Sequence, residues 1–80
     1  MTESSKQKLR PLNQIKDGEV VRFVSVTGGH NIQARLVSMG LFPGTEIEVV
    51  KNRRHGPVVL LVKGARLILG RGMSHKILVA

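Results

Sequence analysis

Lys51–Ala80 reads KNRRHGPVVLLVKGARLILGRGMSHKILVA, and its punctuation decides the architecture. Val58–Lys63, Ala65–Leu69 and Lys76–Ala80 are apolar runs of strand length, separated by Lys63-Gly64 and by Gly70-Arg71-Gly72. Gly56-Pro57 precedes the first of them. The segment holds seven Lys/Arg and no Asp or Glu. Short Val-, Leu- and Ile-rich runs between Gly and Pro read as strands and turns, so this is a β-meander with a cationic exterior. That combination points to a binding module with an anionic or membrane-associated partner rather than to an enzyme.

Working outward, Thr45–Lys51 alternates, with Ile47 and Val49 inward and Glu46 and Glu48 outward. Pro43-Gly44 fits a type II turn, because Pro presets φ and Gly supplies a positive one. His30–Met39 reads as a helix: Ile32, Leu36 and Met39 form one apolar stripe, and Gly40 suits the position just past its end. Glu19–Val26 is a further strand, apolar on both faces and so expected to be covered on both sides. Leu12 and Ile15 suit one short turn laid against the end of a barrel, and Met73–His75 a single helical turn. The expected fold is mainly β: a small SH3-like barrel of about five strands with one inserted α-helix.

Eighty residues bound the chain to one domain. A chain of this size buries roughly 60–65% of its unfolded surface, so its stability margin is thin. Cysteine is absent, which removes disulfide staples and thiolate metal sites. The core therefore rests on twenty-five Val, Leu and Ile residues, with Phe23 and Phe42 as the aromatics. Residues 1–10 are polar and are expected to be a flexible tail ahead of a domain spanning residues 11–80. They form no secretory signal, and no apolar run approaches the ~20 residues of a membrane span, so a cytoplasmic location is expected.

The formal net charge is +8, concentrated in the C-terminal half. Catalytic chemistry finds little to work with. Asp17/Glu19 and Glu46/Glu48 are i, i+2 carboxylate pairs, roughly 7 Å apart if on a strand. The second pair is more simply a solvated strand face, and nothing resembles a nucleophile with its base. His30, His55 and His75 are weak metal candidates, since no two share the i, i+4 spacing of a helical metal pair. No cofactor is expected. Gly70-Arg71-Gly72 opens like a dinucleotide loop, but His75 stands where the third Gly would be, and tight turning explains the glycines. The basic half has the electrostatic footprint of a nucleic-acid binder, and an RNA-binding small barrel is the alternative reading. Against it, neither Phe lies in the basic stretch to stack on bases.

A protein interface is the stronger reading. Val59 and Leu61 share a face with Lys63, Arg66 shares one with Ile68, and Lys76 one with Leu78. If these faces point outward, the barrel presents a mixed apolar and basic patch of the kind that marks binding sites. The bland alternative is that the helix or the N-terminal segment covers them. Lys51, Arg53, Arg54, Lys63, Arg66, Arg71 and Lys76, with Val59 and Leu61, are the candidate partner-binding residues.

Several of these motifs together resemble a family. Arg35-Leu36-x-x-Met39-Gly40-Leu41-x-Pro43-Gly44-x-x-Ile47-x-Val49, then Gly56-Pro57, Val62-Lys63-Gly64-x-Arg66-Leu67 and Gly70-Arg71-Gly72-Met73-x-x-Lys76-Ile77-x-Val79, look like the FeoA family of small proteins of bacterial ferrous iron transport. The resemblance runs from about Leu12 to Ala80, with Ser74 standing where a small apolar residue is expected. It implies an SH3-like barrel and no catalytic residues. It also implies a partner, the FeoB ferrous iron permease of the inner membrane with its cytosolic GTP-binding domain. The protein would be an accessory that modulates GTP hydrolysis or assembly of the transport complex, cytoplasmic and peripheral to the membrane. An anionic membrane surface is a secondary partner, and a homo-oligomer is compatible because exposed strands often pair.

Overall fold

The structure is a computed structural model, and it describes residues 8–53 and 55–80. The expected tail lies, for residues 1–7, outside the described residues, as does Arg54. Among the described residues there are six strands: β1 (Arg10–Pro11), β2 (Val20–Val26), β3 (Glu46–Asn52), β4 (Val58–Val62), β5 (Ala65–Leu69) and β6 (Ile77–Val79). Helix α1 (His30–Ser38) is inserted between β2 and β3, and α2 (Arg71–Ser74) is a single turn before β6. All pairings are antiparallel, in the order β1-β6-β2-β3-β4-β5. This mainly β, SH3-like arrangement is the expected one, with one strand more.

The extra strand is β1, whose two residues pair with Val79 and Leu78. Arg10, counted with the tail on sequence, is half of it. Pro11 lacks an N–H, so the strand can sit only at the sheet's edge, where it is found. A short 3-10 turn (Leu12–Gln14) follows and seats Leu12 and Ile15 in the core, both fully buried.

Two turns show the local chemistry at work. After α1, the Gly40 N–H donates to the Val37 carbonyl and the Leu41 N–H to the Leu36 carbonyl, both at 2.9 Å. Gly40 takes φ +89°, which a Cβ would disfavour, and buried Leu41 meets the end of a helix whose Leu36 is also buried. This is a Schellman ending, and it turns the chain toward β3. Between β4 and β5, Val62 pairs with Ala65, leaving Lys63-Gly64 as a two-residue loop. Both loop residues have positive φ, +51° and +81°, the twist-matched geometry of a tight hairpin.

The core is aliphatic with one aromatic, Phe23. Val58, Leu60 and Val62 of β4, Ile47 and Val49 of β3, and Ile77 and Val79 of β6 all point into it. Ser74 is completely buried beside them, its hydroxyl 3.5 Å from the Arg71 carbonyl within the same turn of helix. Strand β2 departs from expectation: it is covered on one side only. Val21 and Phe23 are buried, while Val20 is 53% exposed and Arg22 is exposed. α1 packs through Leu36 and leaves the outward face of β2's first half open.

Two bulges reset which side chains face inward. In the β2–β6 pair, Phe23 opposes Val79 and Ser25 opposes Leu78, so Val24 is an extra residue. Phe23 and Val26, three apart, can then both meet the core. In the β3–β4 pair, Val49 opposes Leu60 and Lys51 opposes Val59, which makes Val50 the extra residue. Asn52 then lies opposite buried Val58. Its amide donates to the Asn13 and Ile15 carbonyls, at 2.9 and 2.6 Å, and ties β3 to the 3-10 turn at the barrel end.

Candidate interaction face

The outer surface of β3–β4–β5 is the feature with the most potential for recognition. Register fixes its content. Across the strands, Glu48 pairs with Leu61 and Leu61 with Arg66, forming one row; Lys51 pairs with Val59 and Val59 with Ile68, forming the next. Val20 of β2 extends the first row beyond Glu48. Val59 and Leu61 are half-buried by their neighbours, and Ile68 is 66% exposed. The charged ends of Glu46, Glu48, Lys51, Lys63 and Arg66 stand around this aliphatic strip, all on exposed residues. A shallow depression of about 350 Å³ lies between Glu46, Glu48, Leu61, Lys63 and Gly64.

Among the described residues, none of these five charges is in an ion pair. The pair that does form is Arg10 to Glu19, at 2.9 Å on the opposite edge of the sheet order. The Arg10 guanidinium, helped by the Lys16 N–H, holds the Glu19 carboxyl below the usual glutamate range. Lys63 instead reaches over the Phe42 ring, 5.4 Å from its centre, a cation–π contact that turns its stem along the barrel surface.

The structure brings together Lys51, Val59, Leu61, Lys63 and Arg66 from the sequence-derived set. It sets Arg71 and Lys76 apart from them. Arg71 turns inward: one guanidinium nitrogen lies 2.6 Å from the Arg53 carbonyl, 2.9 Å from that of Gly56 and 3.4 Å from Asn52 Oδ1. It braces the β3–β4 hairpin. Arg53 is exposed at the mouth of that hairpin. Lys76 precedes β6, which β2 and β3 separate from β4, and its carbonyl takes the Thr27 N–H at 2.9 Å. It lines a different groove, with Asn31, Ile32, Arg35, Gly72 and Met73.

The three histidines are apart: His30 opens α1, His55 sits in the β3–β4 hairpin, and His75 follows α2 with Nδ1 3.0 Å from the Arg71 carbonyl. Among the described residues, no group of three or more His, Cys, Asp and Glu could hold a metal ion.

Two features of the face lie outside the sequence-derived set. Glu46 and Glu48, outward by their alternation, are the first. Antiparallel pairing sets them on the same face as Lys63 of the β4–β5 turn and Arg66 of β5, so the face carries both signs. Val20 joins it through β2. A separate groove of about 380 Å³ runs between α1 and β2, lined by Phe23, Val26, Leu36, Val37 and Leu41 among others and by no charged side chain.

The fold is a small SH3-like barrel whose β3–β4–β5 side presents a face of aliphatics and charges. The profile of the FeoA domain family matches residues 10–80. The chain belongs to the FeoA family. It is 39% identical over 69 residues to "Putative Fe(2+) transport protein A" of Methanocaldococcus jannaschii, a match covering 86% of this chain and 83% of the relative. Among solved structures, an iron uptake regulatory protein (FeoA) superposes with a TM-score of 0.84 at 36% identity, covering 90% of this chain and 96% of the other. The FeoA-like protein of Clostridium acetobutylicum gives 0.79 at 25% identity, over 92% and 87%. A manganese-dependent transcriptional repressor reaches 0.85 at 19% identity over 95% of this chain but 38% of its own, a likeness of fold alone. Among the described residues, no helix is long and apolar enough to cross a membrane.

Proposed function

We infer that this protein is a non-enzymatic accessory of ferrous iron uptake that docks on the cytosolic part of a FeoB-type permease and acts on its GTPase activity or its assembly. Membership of the FeoA family across residues 10–80 carries the reading. The uncovered β3–β4–β5 face supports a docking role, because aliphatics at its centre can be desolvated while charges at its rim orient the partner. Val59, Leu61 and Ile68 would set the lifetime of the complex. Lys51, Arg53, Lys63 and Arg66 would mainly raise the association rate. The mixed sign of the face weighs against RNA: Glu46 and Glu48 stand where a phosphate backbone would have to run.

Binding of this protein to the purified cytosolic GTP-binding domain, with an RNA competitor present, tests the proposal. Saturable binding that survives the RNA and is weakened by Leu61→Asp is the expected result. Binding to RNA alone would overturn it.

A further inference from the structure

The outer row Glu48–Leu61–Arg66 runs acid, aliphatic, base across three adjacent strands. Such a row is complementary to its own reversed copy. Consider two barrels face to face, related by a two-fold axis lying between them and parallel to β4. The rotation carries β3 of one copy over β5 of the other at the same height along the strands. Glu48 then meets Arg66 of the second copy, Arg66 meets its Glu48, and Leu61 meets Leu61. In the next row Val59 meets Val59 and Lys51 lies over Ile68 of the second copy, its aliphatic stem against that side chain and its ammonium toward the water at the edge, while Glu46 is carried toward the Lys63-Gly64 turn. Each copy brings the same patch, as a two-fold interface requires.

We propose that the protein self-associates through this face, as a two-fold dimer centred on Leu61 and Val59 and clasped by two Glu48–Arg66 pairs between copies. The chemistry on the page selects a second copy over an arbitrary partner. A strongly cationic chain would be expected to need an acidic one. This face supplies its own acid, Glu48, and its own base, Arg66, on either side of Leu61.

Two effects limit the dimer. The face measures roughly 16 by 14 Å, from five residues at about 3.3 Å and three strands at about 4.8 Å, well below a standard interface of ~800 Å² per partner. The formal charge of +8 on each copy also repels the other. Association is therefore weak and concentration-dependent. It strengthens as salt is first added, because a Debye length of about 8 Å near physiological ionic strength screens the long-range repulsion before it weakens the short contacts. Dimerisation does not depend on the function proposed above. Its consequence does: a permease that takes the same face would compete with the second copy.

Sedimentation over a concentration series tests this on the intact chain. Glu48→Arg and Arg66→Glu, each alone, are expected to weaken self-association about tenfold, as two exposed pairs turn from attraction to repulsion. The decisive sample is their mixture. One copy then offers two bases and the other two acids, so the mixed dimer recovers wild-type strength while neither variant dimerises alone. Absence of any wild-type association up to the solubility limit overturns the proposal and leaves the face to a different partner. Association that both variants retain overturns it as well. So does recovery of Glu48→Arg by Lys51→Glu rather than by Arg66→Glu, which would set the copies across each other's strands. Should a variant not fold, the wild type decides. Raising its concentration must shift the amide resonances of Val59, Leu61 and Ile68, and shifts confined elsewhere would refute the assignment.

Discussion

The two sides of β4 have nearly the same chemistry and opposite fates. Val58, Leu60 and Val62 face the core and are almost wholly buried, while Val59 and Leu61 alternate with them and stay half-open on the surface. The inward three share one core with residues of β2, β3, β6 and the 3-10 turn; the outward two have only their strand neighbours beside them. Apolar character alone therefore does not decide burial. What decides it is which side of the curved sheet the pleat assigns to each residue. The inner side holds the barrel together, and the outer side remains available to something else.

Truncating one leucine on each side breaks this comparison most directly. Leu60→Ala should cost about 2–5 kcal/mol of unfolding free energy, since the cavity it leaves lies in a closed core. Leu61→Ala should cost about 1 kcal/mol or less. Urea unfolding followed by circular dichroism measures both, and equal costs would mean that the outer face is packed against something. Asn52 sharpens the contrast at the barrel end. Asn52→Ala strips partners from the Asn13 and Ile15 carbonyls and should cost about 1–3 kcal/mol. Arg22→Ala, which removes an exposed guanidinium donating to the Gly44 carbonyl at 3.0 Å, should cost about 0.5–1 kcal/mol.

Gly40→Ala tests the turn that delivers the chain to β3. Its positive φ should make the substitution cost about 1–2 kcal/mol, with a lower melting temperature and the same folded spectrum. The smallest expected effect is in the Arg10–Glu19 pair at the far edge. The Glu19 pKa is lowered in the folded state, so its contribution is fully present above the ordinary glutamate value and fades as pH falls through the lowered one. Glu19→Gln should make the melting temperature slightly less sensitive to pH across the carboxylate range. An unchanged profile would show that the pair is held only loosely by two exposed side chains.

Much of the fold is legible along the chain because its signals are local. The stripe Ile32, Leu36 and Met39 gives α1, and Gly40 its end. Pro43-Gly44 gives a turn closed by the Thr45 N–H on the Phe42 carbonyl at 2.9 Å, with Gly44 at φ +93°. The alternation of Ile47 and Val49 with Glu46 and Glu48 gives the two sides of β3. Each of these is set by neighbours within a few residues.

The composition of the candidate face was legible only in part. Local pattern yields a small cationic β-barrel with an inserted helix and a row on β4 that faces outward only if nothing covers it. Tertiary structure decided what stands beside that row. Antiparallel register across two hairpins sets Glu48 and Arg66 on either side of Leu61. The bulge at Val50 turns Asn52 inward, because one extra residue inverts a period of two. Hydrogen bonds to a hairpin backbone fifteen or more residues away hold Arg71 against the β3–β4 hairpin. All three depend on pairing between distant segments, which no local pattern encodes.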